Sequence, residues 1–144
     1  MKKKMLLYPV MIALAVGWFF SMNPAWAEQG ASQKVIVYYF YGSMRCSTCH
    51  RLEQYSKEAI ETNFKDALAS GKLKFKVVNV EDKGNQHYGK EYQLYTKSLI
   101  LSLVKDGKEV KWKNMDKIWE YVGNKERFIG YVKNGVTDLL KEVQ

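Results

Sequence analysis

The spacing of hydrophobic residues changes several times along the chain, and each change predicts a new element. Residues 34–41 form an almost unbroken run of Val, Ile, Tyr and Phe, which is typical of a buried central strand. Between residues 46 and 68 the apolar positions recur at helical intervals, which predicts a long amphipathic helix that ends at Ser70 and Gly71. Residues 72–80 alternate between lysines and apolar side chains and then become apolar, which predicts a second strand.

The second half of the chain predicts a hairpin placed between helices. Residues 98–104 are almost wholly apolar, Asp106 and Gly107 are typical of a hairpin turn, and residues 109–112 return as a fourth strand. Asn114 is expected to cap the short helix that follows it. The predicted helices of this half are a short one at 86–94, a short one at 115–122 and a final one at 124–142.

The elements therefore follow the order β-α-β-α-β-β-α. A strand, a long helix and a second strand predict a right-handed crossover between two parallel strands. The hairpin adds two antiparallel strands, and handedness places the first strand between the second and the third. The prediction is an α/β fold with a four-stranded mixed sheet, strand order 2-1-3-4, and helices on both faces.

Residues 1–27 have the pattern of a secretory signal peptide. Three lysines precede an apolar run at residues 5–20, and the triplet Ala25-Trp26-Ala27 provides small residues before a cut site. Cleavage after Ala27 would leave residues 28–144 as a single exported domain, periplasmic or extracellular. The alternative is a retained leader that anchors the protein in a membrane, although the apolar run is short for a span.

The chain is basic, but its positive charge is dispersed. The formal net charge is +8 over 144 residues and falls to +5 without the three lysines of the leader. The remaining lysines form no dense stripe, which argues against nucleic-acid binding. We expect the charge to keep the protein soluble, or to favour an anionic partner or membrane surface.

The two cysteines of the chain lie where the first strand meets the long helix, in the sequence CSTCH at residues 46–50. A disulfide across two intervening residues closes a very small loop and adds little stability, so chemistry explains the pair better than stapling. A helix N-terminus stabilises a thiolate through its unpaired N–H groups and its dipole. Cys46 is therefore the expected exposed nucleophile, and Cys49, one turn later, the expected buried resolving thiol. Arg45 and His50 flank the pair and are expected to support the thiolate.

The same motif is compatible with other chemistries. CxxCH is also the attachment signature of c-type haem, with His50 as one axial ligand and His87, Met44 or Met115 as the second. Alternatively, both cysteines, His50 and His87 would bind copper or zinc. A non-catalytic subunit of a redox complex is a further alternative. The strand-rich pattern favours a dithiol over haem, because c-type haem domains are mostly helical.

Over residues 34–144 the chain resembles the thioredoxin-like superfamily. More narrowly, small exported bacterial proteins called nitrophenyl compound nitroreductase subunit, the ArsF family, are similar to four segments: YYFYGSMRCSTCHRLEQYSKEAIETNF, VVNVED, YQLYTKSLILSLVKDGKEVKWKNMDKIWEYV and FIGYV. The resemblance implies a thioredoxin-like fold and a redox-active disulfide between Cys46 and Cys49, without metal or other cofactor. Such a thiol-disulfide oxidoreductase would exchange electrons with a protein partner or a small oxidised substrate.

Two features depart from ordinary thioredoxins. The prolines Pro9 and Pro24 both lie in the leader, so the cis-proline expected opposite the dithiol, at Ser98 or Leu99, is missing. Ser98 is hypothesised to offer its hydroxyl to the thiolate instead. The strand before the motif also lacks the buried acid that assists the resolving thiol, since residues 38–41 are aromatic. The missing acid fits a narrower partner better than general disulfide reduction, and the missing proline alters the loop at which a thioredoxin docks its substrate.

Overall fold

The computed structural model describes residues 32–143, which form four strands and five helices. The predicted leader, residues 1–27, lies outside this range. The strands are β1 (Gln33–Tyr41), β2 (Leu73–Asn79), β3 (Ser98–Lys105) and β4 (Lys108–Asn114), and the helices are α1 (Ser47–Asn63), α2 (Lys65–Ala69), α3 (His87–Glu91), α4 (Ile118–Tyr121) and α5 (Lys125–Leu140).

The four strands make one mixed sheet in the order β2-β1-β3-β4. β1 runs parallel to β2 and antiparallel to β3, and β3 and β4 form an antiparallel hairpin. Asp106 and Gly107 take positive φ in the hairpin turn, at 51° and 77°, as a two-residue type I′ turn requires. The predicted mixed sheet and its strand order are confirmed.

The sheet buries apolar side chains on both faces, because successive residues of a strand point to opposite sides. The larger core lies between the sheet and helices α1 and α5, and it contains Val37, Tyr39 and Leu101. On the other face a smaller core includes Tyr38 and Phe40, which contact the aromatic rings carried by and beside α3. Helices therefore cover both faces, as predicted, but very unequally.

The first predicted helix is interrupted rather than continuous to residue 68. At Phe64 the backbone leaves the helical region, with φ −132° and ψ 36°, and α2 begins at the next residue. Phe64, Ala67 and Leu68 still pack against the larger core on either side of the break. The apolar spacing therefore predicted the contact of these residues with the core, but not the interruption.

The predicted cap at Asn114 is wrong. Asn114 is the last residue of β4 and pairs with Ile100 of β3, so sheet pairing holds it in extended backbone. The pairing continues one residue further, where the Met115 N–H donates to the Leu99 carbonyl at 2.9 Å. α4 therefore begins only at Ile118, without a side-chain cap.

Candidate functional site: a dithiol at a helix N-terminus

Cys46 is the N-cap residue of α1. Its backbone is extended, with φ −98° and ψ 171°, and its sulfur accepts a hydrogen bond from the Cys49 N–H at 3.3 Å. The first N–H groups of a helix have no partner inside the helix, so an acceptor at this position satisfies one of them. Serine, threonine and aspartate usually fill this role, and here the exposed thiol fills it.

Cys49 lies one turn later and is buried, with 3% of its surface exposed. The two sulfur atoms are 2.6 Å apart, and both thiols are free. The Cys46 residue is therefore exposed to solvent, while the Cys49 sulfur is buried beside that of Cys46. The contrast in exposure predicted for the two thiols is present.

The pKa of the Cys46 thiol is lowered from its ordinary value. The largest cause is the hydrogen bond with the Cys49 thiol, and the next is the hydrogen bond from the Cys49 backbone N–H. Both interactions favour the charged form of the sulfur, since a thiolate accepts hydrogen bonds more strongly than a thiol does. The neighbouring thiol therefore makes the largest contribution to the lowered pKa of Cys46, and the backbone N–H groups of the helix N-terminus add to it.

Arg45 precedes the thiol, but its charge is engaged elsewhere. Its guanidinium forms an ion pair with Glu53 of α1 and lies over the Tyr41 ring, 4.4 Å from the ring centroid. The Arg45 Nε is buried without a hydrogen-bond partner. The lowered pKa of Cys46 accordingly arises from Cys49 and from backbone N–H groups.

The other two supporting residues lie in different surroundings. His50 is exposed on the first turn of α1, and its backbone N–H donates to the Cys46 carbonyl at 3.1 Å. Ser98 is buried at the start of β3 and pairs with Phe40, on the sheet face opposite the α1 core. Its hydroxyl donates a hydrogen bond to the Thr96 carbonyl at 2.9 Å, two residues earlier in the chain. His50 thus directly follows the dithiol, whereas the Ser98 hydroxyl donates its hydrogen bond to Thr96.

The ligands proposed for haem or metal are dispersed. His87 lies with α3 on the far face of the sheet, where it contacts the Tyr88 ring, and Met115 is fully buried in the larger core. Met44 is 84% exposed in the loop before the dithiol. Within residues 32–143 no group of three or more His, Cys, Asp or Glu side chains is arranged to hold a metal ion. His87 therefore does not join the two cysteines and His50.

Sequence reasoning missed three residues that contact the turn of the dithiol or the loop before it. Tyr39 is fully buried, and its hydroxyl donates to the Cys49 carbonyl at 2.8 Å. Glu53 pairs with Arg45, and Glu81 accepts hydrogen bonds from Ser43, which lower the pKa of its carboxyl. For Tyr39 a signal existed, because a buried tyrosine hydroxyl usually has a hydrogen-bond partner. Glu53 lies on α1 itself and Glu81 follows β2, and neither carries such a signal in the sequence.

The chain has a thioredoxin-like fold that carries a pair of adjacent thiols. Its strand order, its strand directions and the position of the dithiol after β1 are those of the thioredoxin fold. Among residues 32–143 no helix is both long and apolar enough to span a membrane.

Several thioredoxins are among the solved structures to which the chain is similar. The chain is similar to the thioredoxin of Fasciola hepatica, with 22% identity over 62% of this chain and 79% of that chain and a TM-score of 0.38. It is also similar to mitochondrial thioredoxin 3 from Saccharomyces cerevisiae in its oxidised form, with 17% identity over 73% and 78% of the two chains and a TM-score of 0.42. For the oxidised thioredoxin of Plasmodium falciparum the identity is 16% over 74% and 85%, with a TM-score of 0.43.

These scores are low, so the fold assignment rests on the sheet topology of the chain itself. No protein-family model and no curated protein sequence matches the chain. The resemblance to exported nitroreductase subunits therefore stays a prediction.

Proposed function

We propose that the protein is an exported thiol–disulfide oxidoreductase in which Cys46 is the nucleophile and Cys49 the resolving thiol. One observation carries the proposal: an exposed N-cap thiol with a lowered pKa lies 2.6 Å from a buried second thiol. A simple structural staple would need neither the exposure nor the activated sulfur.

The reaction proceeds in two exchanges. The Cys46 thiolate attacks one sulfur of a substrate disulfide, a mixed disulfide forms, and the first substrate thiolate leaves. Cys49 then loses its proton and attacks the Cys46 sulfur, the intramolecular disulfide forms, and the second substrate thiolate leaves. Two electrons pass to the substrate, and the protein dithiol is oxidised. The same steps in reverse would oxidise a substrate dithiol.

The partner is a protein disulfide or a small oxidised substrate that reaches the exposed Cys46. The loop before Cys46 is held on both sides, by Glu81 through Ser43 and by Glu53 through Arg45. A fixed loop presents the thiol in one orientation, which suits a limited set of partners. We assign thiol chemistry, and not nitroreduction, to this chain.

Alkylation followed by intact-mass measurement tests this proposal. The protein is exported from bacteria with its own leader and alkylated with or without prior reduction. We expect two alkyl groups to appear only after reduction, on a chain of residues 28–144. Two alkyl groups that persist after the exported protein has been treated with a disulfide oxidant such as oxidised glutathione would contradict the redox-active disulfide. An uncut leader would contradict the cleavage site but not the chemistry.

Single variants assign the two roles. Cys49→Ala is expected to trap a mixed disulfide through Cys46, whereas Cys46→Ala should react slowly, because the remaining thiol is buried. Equal trapping by the two variants would contradict the assignment of nucleophile and resolving thiol.

A further inference from the structure

Tyr39 connects the central strand to the turn that carries both thiols. It lies in the middle of β1, paired with Val77 on one side and Leu99 on the other, and none of its surface is exposed. Its hydroxyl donates to the Cys49 carbonyl at 2.8 Å. A carbonyl has two lone pairs, so it can accept this bond in addition to the bond along the helix.

This hydrogen bond fixes the position of Cys49 relative to the sheet. β1 is hydrogen-bonded to strands on both sides, and it is therefore a rigid reference for the helix that packs on it. The first turn of a helix is the part that frays most easily, since its N–H groups lack helical partners. A buried bond from β1 to this turn holds the second sulfur under the first.

The Tyr39 hydroxyl remains neutral while the thiols titrate. Burial raises its pKa well above the ordinary value of a tyrosine, and the nearby Cys49 sulfur raises it further. A neutral phenol donates its hydrogen bond at every pH where the dithiol works, but it cannot remove a proton from Cys49. Its effect on the reaction must therefore come from geometry.

We propose that Tyr39 is a positioning residue for the second exchange, holding the Cys49 turn so that the buried thiolate reaches the mixed disulfide on Cys46. This inference rests on the proposed thiol–disulfide function. The first exchange needs only the exposed Cys46 and a substrate. The second needs Cys49, Cys46 and the leaving sulfur in line, so it is the step that depends on where the Cys49 backbone lies.

Dithiobis(nitrobenzoate) separates the two steps, because each exchange releases one coloured thiolate. In the reduced protein the first equivalent reports attack by Cys46 and depends on reagent concentration. The second equivalent reports attack by Cys49, and its rate does not depend on reagent concentration. Cys49→Ala should release only the first equivalent from the site.

Tyr39→Phe removes the hydroxyl and keeps the ring. We expect the second phase to slow roughly fivefold, the effect of losing one buried neutral hydrogen bond, while the first phase keeps its rate. The midpoint of the pH profile of the second phase should not move, because the phenol carries no proton in the step. Tyr38→Phe is the matched control, since Tyr38 is the preceding residue of the same strand but lies on the opposite face. It should leave both phases unchanged.

A second variant keeps the inference testable if Tyr39→Phe does not fold. Fluorotyrosine at position 39 keeps the O–H donor but lowers the pKa of the phenol. It should resolve the mixed disulfide at the wild-type rate, with the wild-type pH profile. If the fluorotyrosine protein shows a shifted profile, Tyr39 takes part in proton transfer and the positioning role is wrong.

The remaining outcomes are equally decisive. An unchanged second phase in Tyr39→Phe would overturn the inference and leave the proposed function intact. Equal slowing of both phases, with a lower unfolding temperature, would show a general structural role instead. Release of a single equivalent by the wild-type protein would overturn the proposed function itself, and the inference with it.

Discussion

At the scale of single residues, the positive charge of Arg45, which precedes Cys46, is neutralised by an ion pair. Glu53 pairs with the guanidinium, and the Tyr41 ring lies beneath it. Both partners of the ion pair are largely shielded, with 22% and 27% of their side-chain surfaces exposed. The pair thus anchors the loop before Cys46 to α1, and it limits how far the thiolate is stabilised.

Glu53→Gln should release this charge and increase the reactivity of Cys46. With the carboxylate gone, the net positive charge near the sulfur favours the thiolate, so alkylation at a pH below the thiol pKa should accelerate roughly two- to fivefold. The control is Glu58→Gln, which removes the ion pair between the same helix and Lys125. If Glu53→Gln alkylates at the wild-type rate, or more slowly, Arg45 does not influence the thiol.

The lowered pKa of Cys46 also predicts how the stability of the reduced protein depends on pH. Folding lowers this pKa, so the contribution is fully present above the pKa of the unfolded thiol, about 8.5. It is lost as the pH falls through the lower pKa of the folded state. Urea unfolding of reduced wild-type protein and of Cys46→Ala should therefore diverge as the pH rises. A constant difference in the free energy of unfolding between wild type and Cys46→Ala across the pH range would contradict a lowered pKa of Cys46.

At the scale of elements, α5 contains two glycines, Gly130 and Gly135, and by sequence alone both lower its helix propensity equally. Their surroundings differ. A Cβ on Gly135 would lie 2.6 Å from Met115 Cε and 3.1 Å from Leu101 Cδ1, whereas a Cβ on Gly130 would meet nothing within 4 Å. Gly135 therefore allows the helix to approach the larger core closely, and Gly130 only costs helix stability.

Alanine at these two positions should have opposite effects. Gly135→Ala overpacks a fully buried region and is expected to destabilise the fold by about 1–3 kcal/mol. Gly130→Ala should stabilise it by about 0.4–1 kcal/mol, because alanine loses less backbone freedom on folding. Urea unfolding of the two variants measures both changes, each serving as the control for the other. Stabilisation by both substitutions would show that the contact with Met115 is not tight.

At the scale of the whole molecule, the two faces of the sheet differ in how they are covered. Two long helices, α1 and α5, cover the face beneath the dithiol, and they also contact each other. The other face is covered mainly by α3, a five-residue helix without a side-chain cap. A helix this short is not stable on its own, so its order depends on the Tyr88 and Tyr92 rings that pack on Tyr38 and Phe40.

Native-state hydrogen exchange should reveal this difference. Backbone amides of β1 should exchange only through global unfolding, because the strand is paired on both sides and buried on both faces. Amides of α3 should exchange through a local opening of much lower free energy. The sheet face that α1 and α5 cover would stay folded while α3 opens. The alkylation rate of Cys46 should therefore not depend on the opening of α3. Equal protection of α3 and β1 would contradict this ranking.

The sequence by itself determined the fold and the location of the chemistry. The runs and spacings of apolar residues define the strands and the main helices, and the handedness of a βαβ crossover then sets the strand order β2-β1-β3-β4. The position of Cys46 and Cys49 at the start of α1 follows from the same local pattern, as does the contrast in their exposure. These properties depend on residues close together in the chain, whose geometry is fixed by backbone periodicity.

Only the tertiary structure decided which side chains surround the thiols. The bond from Tyr39 to Cys49 depends on how α1 lies against the sheet. The pairing of Arg45 with Glu53 depends on how the loop before α1 folds onto that helix, and the placement of Ser98 depends on the register between β1 and β3. The break between α1 and α2 at Phe64 was likewise decided only by the tertiary structure. Periodicity tells which side of a helix faces the core, but the rotation and shift at which the helix docks result from packing of the whole core. Contacts between elements are therefore set by the shape of the assembled interior, which no single stretch of sequence contains.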